Sequence, residues 1–152
     1  RQRQMCIRDS VYDDLKKLGY APDAANTNIG SAIFANKPGD GSAREQAASC
    51  QRVLGGAANF ACEYATKRYR SNCINWGMLP FLVENPGALD NGDYVYLPGV
   101  RKALLEAADE LDAVAVKPDG SLVKFTVKLG AMTDAERRIL ADGCLINYYK
   151  NN

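Results

Sequence analysis

Hydrophobic and polar positions alternate along the chain in short blocks, each of which predicts an element. In VYDDLKKLGY, Val11, Leu15 and Leu18 recur at helical spacing and Gly19 supplies a stop. NIGSAIFA, Asn28 to Ala35, is a short apolar run behind a turn-rich segment and predicts a buried strand, which KPGDG breaks. From Ser42 onward, Ala47, Cys50 and Leu54 mark one face of a second helix, closed by Gly55 and Gly56. AANFACEY predicts the next strand. Strand, turn, helix, strand is the order of a crossover unit with parallel strands.

The middle stretch, ATKRYRSNCINWGMLPFLVENPG, mixes a basic cluster with Gly77, Pro80 and Pro86 and reads as irregular. DYVYL, Asp93 to Leu97, predicts a short strand, and GVRKALLEAADEL an amphipathic helix with Pro98 just ahead of it. AVAVKPDGSLVKFTVKL is a hairpin pattern turning on Pro118-Asp119-Gly120. TDAERRILADG predicts a final helix with Thr133 as N-cap and Glu136 three residues on. No repeat or low-complexity tract interrupts the series, which sums to an α/β domain with a mixed sheet. The first ten residues, RQRQMCIRDS, show no helical or strand period and resemble a translated sequencing adapter. They are set apart as a non-native leader, and residues 11–152 are expected to be the C-terminal fragment of a longer protein.

Composition narrows the function classes. At 152 residues and 47% hydrophobic content the chain can bury one sizeable core. A formal charge of +1 gives no basic footprint for nucleic acid. No apolar run approaches the roughly 20 residues of a membrane span, and no signal-peptide pattern is visible, so a soluble cytoplasmic protein is the expectation. The five cysteines, Cys6, Cys50, Cys62, Cys73 and Cys144, form no CxxC pair and fit no zinc template, so no metal site is expected in the chain. Most of these thiols are expected to be buried. The chain has no histidine, which removes a Ser-His-Asp triad, a Cys-His pair and any His-ligated metal.

The chemistry concentrates in GDGSAREQAA, Gly39 to Ala48. Ser42 followed by Glu45 reads as a capping box, a purely structural device worth about 1 kcal/mol. The Gly-rich turn is not a Walker loop, because no Gly-Lys-Ser/Thr follows. The same residues also suit an anion. A helix N-terminus presents unpaired N–H groups and partial positive charge, and glycines let backbone approach a ligand. Arg44 in the first turn is unfavourable against the macrodipole unless it faces an anion, which guanidinium grips through two parallel hydrogen bonds.

GDGSAREQAA resembles the G-x-G-S-S-R-E-H-A segment of the aconitase superfamily. YATKRYRSNCINWGMLPF, Tyr64 to Phe81, is similar to that family's S-F-A-R-I-x-R-x-N-x-x-x-x-G-x-L-P-L. Two motifs in the right order and spacing are more specific than either alone, and weaker similarity extends over about Asn28 to Asn147. The resemblance implies the family's C-terminal swivel domain, a β/β/α layered fold with a mixed sheet. It implies that Ser42 is the catalytic base and Arg44 the substrate-carboxylate ligand, with Gly39 and Gly41 as turn glycines. Ala43 stands where many members carry a second, substrate-binding serine, and Gln46 replaces a histidine; both departures point away from citrate. The family's [4Fe–4S] cluster and its cysteines belong to other domains, so none is expected to be bound by this fragment.

The implied activity is that of an aconitase-like hydratase, a hydro-lyase on a small hydroxy di- or tricarboxylic acid. It would require the remaining domains, fused or in a separate large subunit, and the fragment alone would be inactive. Two alternatives stand beside it: the separate small subunit of an isopropylmalate- or homoaconitate-type isomerase, and a non-catalytic carboxylate-binding or interaction domain. Lys67, Arg68 and Arg70 read as a solvated rim, Asn72 as a partner for backbone groups in irregular chain, and Trp76 and Met78 as core or interface contacts.

Overall fold

A computed structural model of the chain describes residues 2–17, 19–22 and 25–151, with side chains from Ser10 onward. The strands are β1 (Ser31–Ala35), β2 (Gly56–Ala61), β3 (Leu79–Val83), β4 (Tyr94–Tyr96), β5 (Glu110–Val116) and β6 (Leu122–Lys128). The helices are α1 (Gln2–Lys17), α2 (Arg44–Val53), α3 (Lys67–Asn75), α4 (Val100–Leu105), α5 (Asp134–Ala141) and α6 (Leu145–Asn151). All six strands form one mixed sheet in the order β1-β2-β3-β6-β5-β4. The first three are parallel and the other three antiparallel, so the α/β fold with a mixed sheet is as expected.

The parallel half consists of two consecutive crossovers, β1–α2–β2 and β2–α3–β3. The loops that leave β1 and β2 therefore meet at one edge, outside the C-terminal ends of parallel strands. In the antiparallel half, β5 and β6 pair along their whole length, and Lys117 N donates to Ser121 O at 2.8 Å to close the predicted turn.

The main core spans both halves. Phe60 and Phe81 are register partners with rings stacked 5.4 Å apart. They pack in one cluster with Val83, Leu111 and Val127 from the sheet and Ile74, Leu104 and Ile139 from the helices. Each side chain of this size stabilises the fold by about 1.5–3 kcal/mol when fully buried. Alternation along β5 splits its residues: Leu111 and Ala113 enter this core, while Val114 and Val116 meet Leu15 of α1. At the far end, Thr133 caps α5 as predicted, accepting from Glu136 N at 3.2 Å while Glu136 Oε2 accepts from Thr133 N at 2.8 Å.

Several expectations need correction. The helix predicted to stop at Gly19 runs from Gln2, not Val11, to Lys17, so the aperiodic leader has helical backbone; Arg, Gln and Met are good helix formers and extend an existing helix readily. Leu18, expected on its inner face, lies outside the described residues. β1 is an edge strand, not a buried one, and leaves Ile33 47% and Phe34 40% exposed. On α2 the inward residues are Ala48 and Gln51, while Ala47, Cys50 and Leu54 face outward. The slot beneath α2 holds Asn59 of β2, so a polar residue marks the inner face and the apolar spacing misleads.

The stretch read as irregular contains α3 and β3. Tyr69, Cys73 and Ile74 form the buried stripe of α3, hidden in the sequence among basic and polar neighbours. Pro80 is tolerated inside β3 because pairing with β6 begins only at Leu82, which leaves one side of Pro80 without a strand. α4 is shorter than expected; it ends where Ala107 takes φ 56°, and the chain enters β5 at Glu110. α5 is not the final helix, since α6 follows the turn at Gly143. Of the thiols, Cys73 is buried, Cys144 half-buried, and Cys50 and Cys62 exposed, so burial is not their common fate.

Candidate functional site

The loop from β1 to α2 is pinned to the start of α3. Glu63 N donates to Asn36 O and Ala65 N to Pro38 O, each at 3.0 Å, laying the two connecting loops side by side. The Thr66 hydroxyl caps α3 by accepting from Tyr69 N at 3.3 Å and donates to Gly39 O at 3.2 Å. Arg44 Nε donates to the same carbonyl, also at 3.2 Å. Gly39 needs to be glycine here. Its φ is +97°, and a Cβ would stand 2.5 Å from Cβ of Tyr69.

Tyr69 is held from below by a buried polar network. Asn59 Nδ2 donates to Tyr69 Oη at 3.0 Å and to Cys73 Sγ at 3.4 Å, and Gln51 Nε2 donates to Asn59 Oδ1. Burial pushes the Tyr69 phenol up to about 12 and the Cys73 thiol up to about 11, and raises Tyr64 as well. These groups stay neutral near pH 7, where they support the loop rather than supply a base or nucleophile.

Above this support the surface is concave. One cleft of about 360 Å³ is lined by Gly39, Gly41, Ser42, Ala43, Arg44 and Tyr69 among others. A second, of about 400 Å³, shares Ser42 and Arg44 and continues over Glu45, Lys67, Arg68, Ser71 and Asn72. All five positions singled out in the Gly39–Arg44 segment thus line the clefts. Ser42 is exposed there and Arg44 half-buried, with no carboxylate paired to Arg44 among the described residues.

The expected capping box at Ser42 and Glu45 is absent. The N-cap of α2 is Ala43, one residue later, and no side chain caps the helix. The helix therefore starts with uncapped N–H donors at the cleft edge, and the Ser42 hydroxyl is not committed to them. Gln46 is exposed on the first turn and lines neither cleft.

Sequence reasoning missed Lys67, Arg68, Ser71 and Asn72. They pair at i, i+4 on the face of α3 away from Tyr69 and Cys73, a signal that becomes visible once the segment is read as a helix. Asn72 lies in that helix and lines the cleft instead of supporting irregular chain. Arg70 differs from its basic neighbours: it donates to Leu129 O at 2.7 Å and Ala131 O at 3.0 Å, tying α3 to the end of β6. Met78 is fully buried and Trp76 packs beside it, as expected of core residues.

Among the described residues, no group of three or more His, Cys, Asp or Glu side chains could hold a metal ion, and no helix is long and apolar enough to cross a membrane. No family model matches the chain. Over 152 aligned residues it is 25% identical to aconitate hydratase A of Rickettsia bellii (strain RML369-C), a match covering 96% of this chain. The chain spans 16% of that relative's length. This similarity supports a relationship to the aconitase family, and the α/β fold with its mixed sheet is consistent with a C-terminal domain of that family.

Proposed function

We propose that residues 11–152 are the swivel-type C-terminal domain of an aconitase-like hydro-lyase, and that the substrate is a small hydroxy di- or tricarboxylic acid. The observation that carries this reading is the shared opening of Ser42 and Arg44 into both clefts beside an uncapped helix N-terminus. The similarity to an aconitate hydratase is the second support.

In this reading Arg44 holds a substrate carboxylate through its guanidinium, whose Nε is already fixed on Gly39 O. Ser42, as alkoxide, takes the proton from the carbon next to that carboxylate. Loss of the proton and of the hydroxyl group leaves an unsaturated acid and one water. The positive end of α2 and the Arg44 charge both lower the cost of the alkoxide. Gly39 and Gly41 keep the backbone low enough for substrate to reach the hydroxyl. In this reading the family's [4Fe–4S] cluster would be held by other domains and would act on the leaving hydroxyl, while this chain handles the proton and the carboxylate. The rest of the site comes from other domains, fused or in a separate large subunit.

Ser42→Ala in the complete enzyme tests the assignment. Ser42 caps nothing, so its removal should leave the melting temperature unchanged, while kcat should fall by at least the ~10²-fold of lost acid–base catalysis. A near-normal kcat would refute the catalytic assignment.

A further inference from the structure

We infer that Asn59 is a positioning residue for Arg44: from beneath the clefts it fixes Tyr69, and Tyr69 fixes the Gly39 loop on which Arg44 is braced. This rests on the reading of Arg44 as a carboxylate ligand. Alternation along β2 sends Ala58 and Phe60 into the main core and turns Asn59 the other way, where it meets α2 and α3. Asn59 is 2% exposed and lines neither cleft. Both protons of its Nδ2 are engaged, one by Tyr69 Oη at 3.0 Å and one by Cys73 Sγ at 3.4 Å. Its Oδ1 accepts from Gln51 Nε2, which also donates to Ala58 O at 3.3 Å, so the amide has a single orientation. One side chain thereby ties α2, which begins at Arg44, to α3, which supplies the other wall of the larger cleft.

Tyr69 carries the constraint upward. It lines the smaller cleft beside Arg44 and packs so close to Gly39 that no Cβ fits between them. Gly39 O in turn accepts from Arg44 Nε at 3.2 Å. A loosened Tyr69 therefore lets the loop shift and takes the guanidinium off line. Stability alone does not explain the network. It withdraws two amides from water, and Gln51 Oε1 is buried without a hydrogen-bond partner. Apolar side chains of similar shape would fill the space without that cost, but they would fix no distance between the two helices.

The test is an NMR titration of the 152-residue chain with propane-1,2,3-tricarboxylate, beside thermal melts. Arg44→Gln should weaken binding at least about tenfold, the worth of a charge-assisted hydrogen bond. Tyr69→Phe and, separately, Asn59→Leu should each weaken it about fivefold, the worth of one neutral hydrogen bond. The two changes combined should weaken it no further, because they cut the same tie. Adding Gln51→Met to the pair makes the network apolar; this variant should melt close to the parent and still bind about fivefold more weakly. Val127→Ala in the main core should do the reverse, lowering the melting temperature and sparing the affinity. Parent-like affinity in Tyr69→Phe or Asn59→Leu, additive losses in the double variant, or recovered affinity in the apolar one would each overturn the inference. With Arg44→Gln still impaired, those results leave the reading of Arg44 standing. If the parent binds no tricarboxylate, or Arg44→Gln binds it as the parent does, the reading of Arg44 falls and the inference with it.

Discussion

Gly39→Ala is the most informative single change in the support of the site. Two costs add. Alanine at φ +97° is disfavoured by about 1–2 kcal/mol from backbone sterics alone. Its Cβ would also stand 2.5 Å from Tyr69 Cβ and 2.7 Å from Cγ, and overpacking of this kind costs about 1–3 kcal/mol. Tyr69 has little room to yield, because Asn59 holds its hydroxyl and Thr66 its backbone N–H. The sum is about 2–5 kcal/mol, and at about 2–4 °C per kcal/mol for a domain of this size the melting temperature should fall by about 4–20 °C. Gly41→Ala is the control: nothing lies within 4 Å of its Cβ, so it should be neutral or gain about 0.4–1 kcal/mol from reduced chain entropy. Thermal unfolding followed by circular dichroism compares the two. If both variants melt within about 2 °C of the parent, a shift worth under 1 kcal/mol, the packing of this loop on Tyr69 is wrong.

Three further outcomes are expected. The purified 152-residue chain, without other domains, should fold yet show no turnover on hydroxy polyacids; measurable turnover would show that the chain holds a complete site. On the hydro-lyase proposal, Ala43→Ser, which adds a hydroxyl to the cleft wall, should raise kcat/KM of the complete protein for citrate relative to its best substrate; an unchanged ratio would remove Ala43 from specificity. Cys73 and Tyr69 ionise at about 11 and 12 in the fold against 9.0 and 10.0 ordinarily. The unfolded chain thus loses these protons first, and the stability they lend is full below pH 9 and lost as pH rises toward 12. Urea melts across that range should show Cys73→Ala losing less stability than the parent between pH 9 and 11; equal losses would refute the linkage.

The elements that sequence reading found are those in which pattern and punctuation agree. The hairpin turning on Pro118-Asp119-Gly120, the capped start of α5 at Thr133 and the first parallel crossover all carry turn residues at the positions geometry demands. Where interior contacts are polar, the pattern fails. Gln51 and Asn59 bury an amide pair under α2, and this turned the expected inner face outward. The same network conceals α3, whose buried stripe includes Tyr69 and Cys73 as hydrogen-bonding groups. With α3 concealed, the sequence alone gives its basic residues no geometry and nothing that brings Lys67 and Arg68 to the clefts beside Ser42. The Gly39–Arg44 segment stands out in the sequence because its residue types suit an anion and resemble a known motif, and in the structure it lines the clefts. The missing serine cap was not legible, since Ser42 and Glu45 have the spacing of a capping box that the backbone does not use.

Thr66 has one hydroxyl proton, and it is spent on Gly39 O, the carbonyl that also steadies Arg44. A residue that lines neither cleft thus governs how the guanidinium is presented. On the proposed carboxylate grip of Arg44, a saturation scan scored by ligand affinity would rank position 66 beside position 44 and mistake it for a contact. Serine there would pass unnoticed and valine would not, although valine matches threonine in shape. The lesson for reading variant tables of this fold is that sensitivity at a helix cap can report the ligand grip of a neighbouring loop.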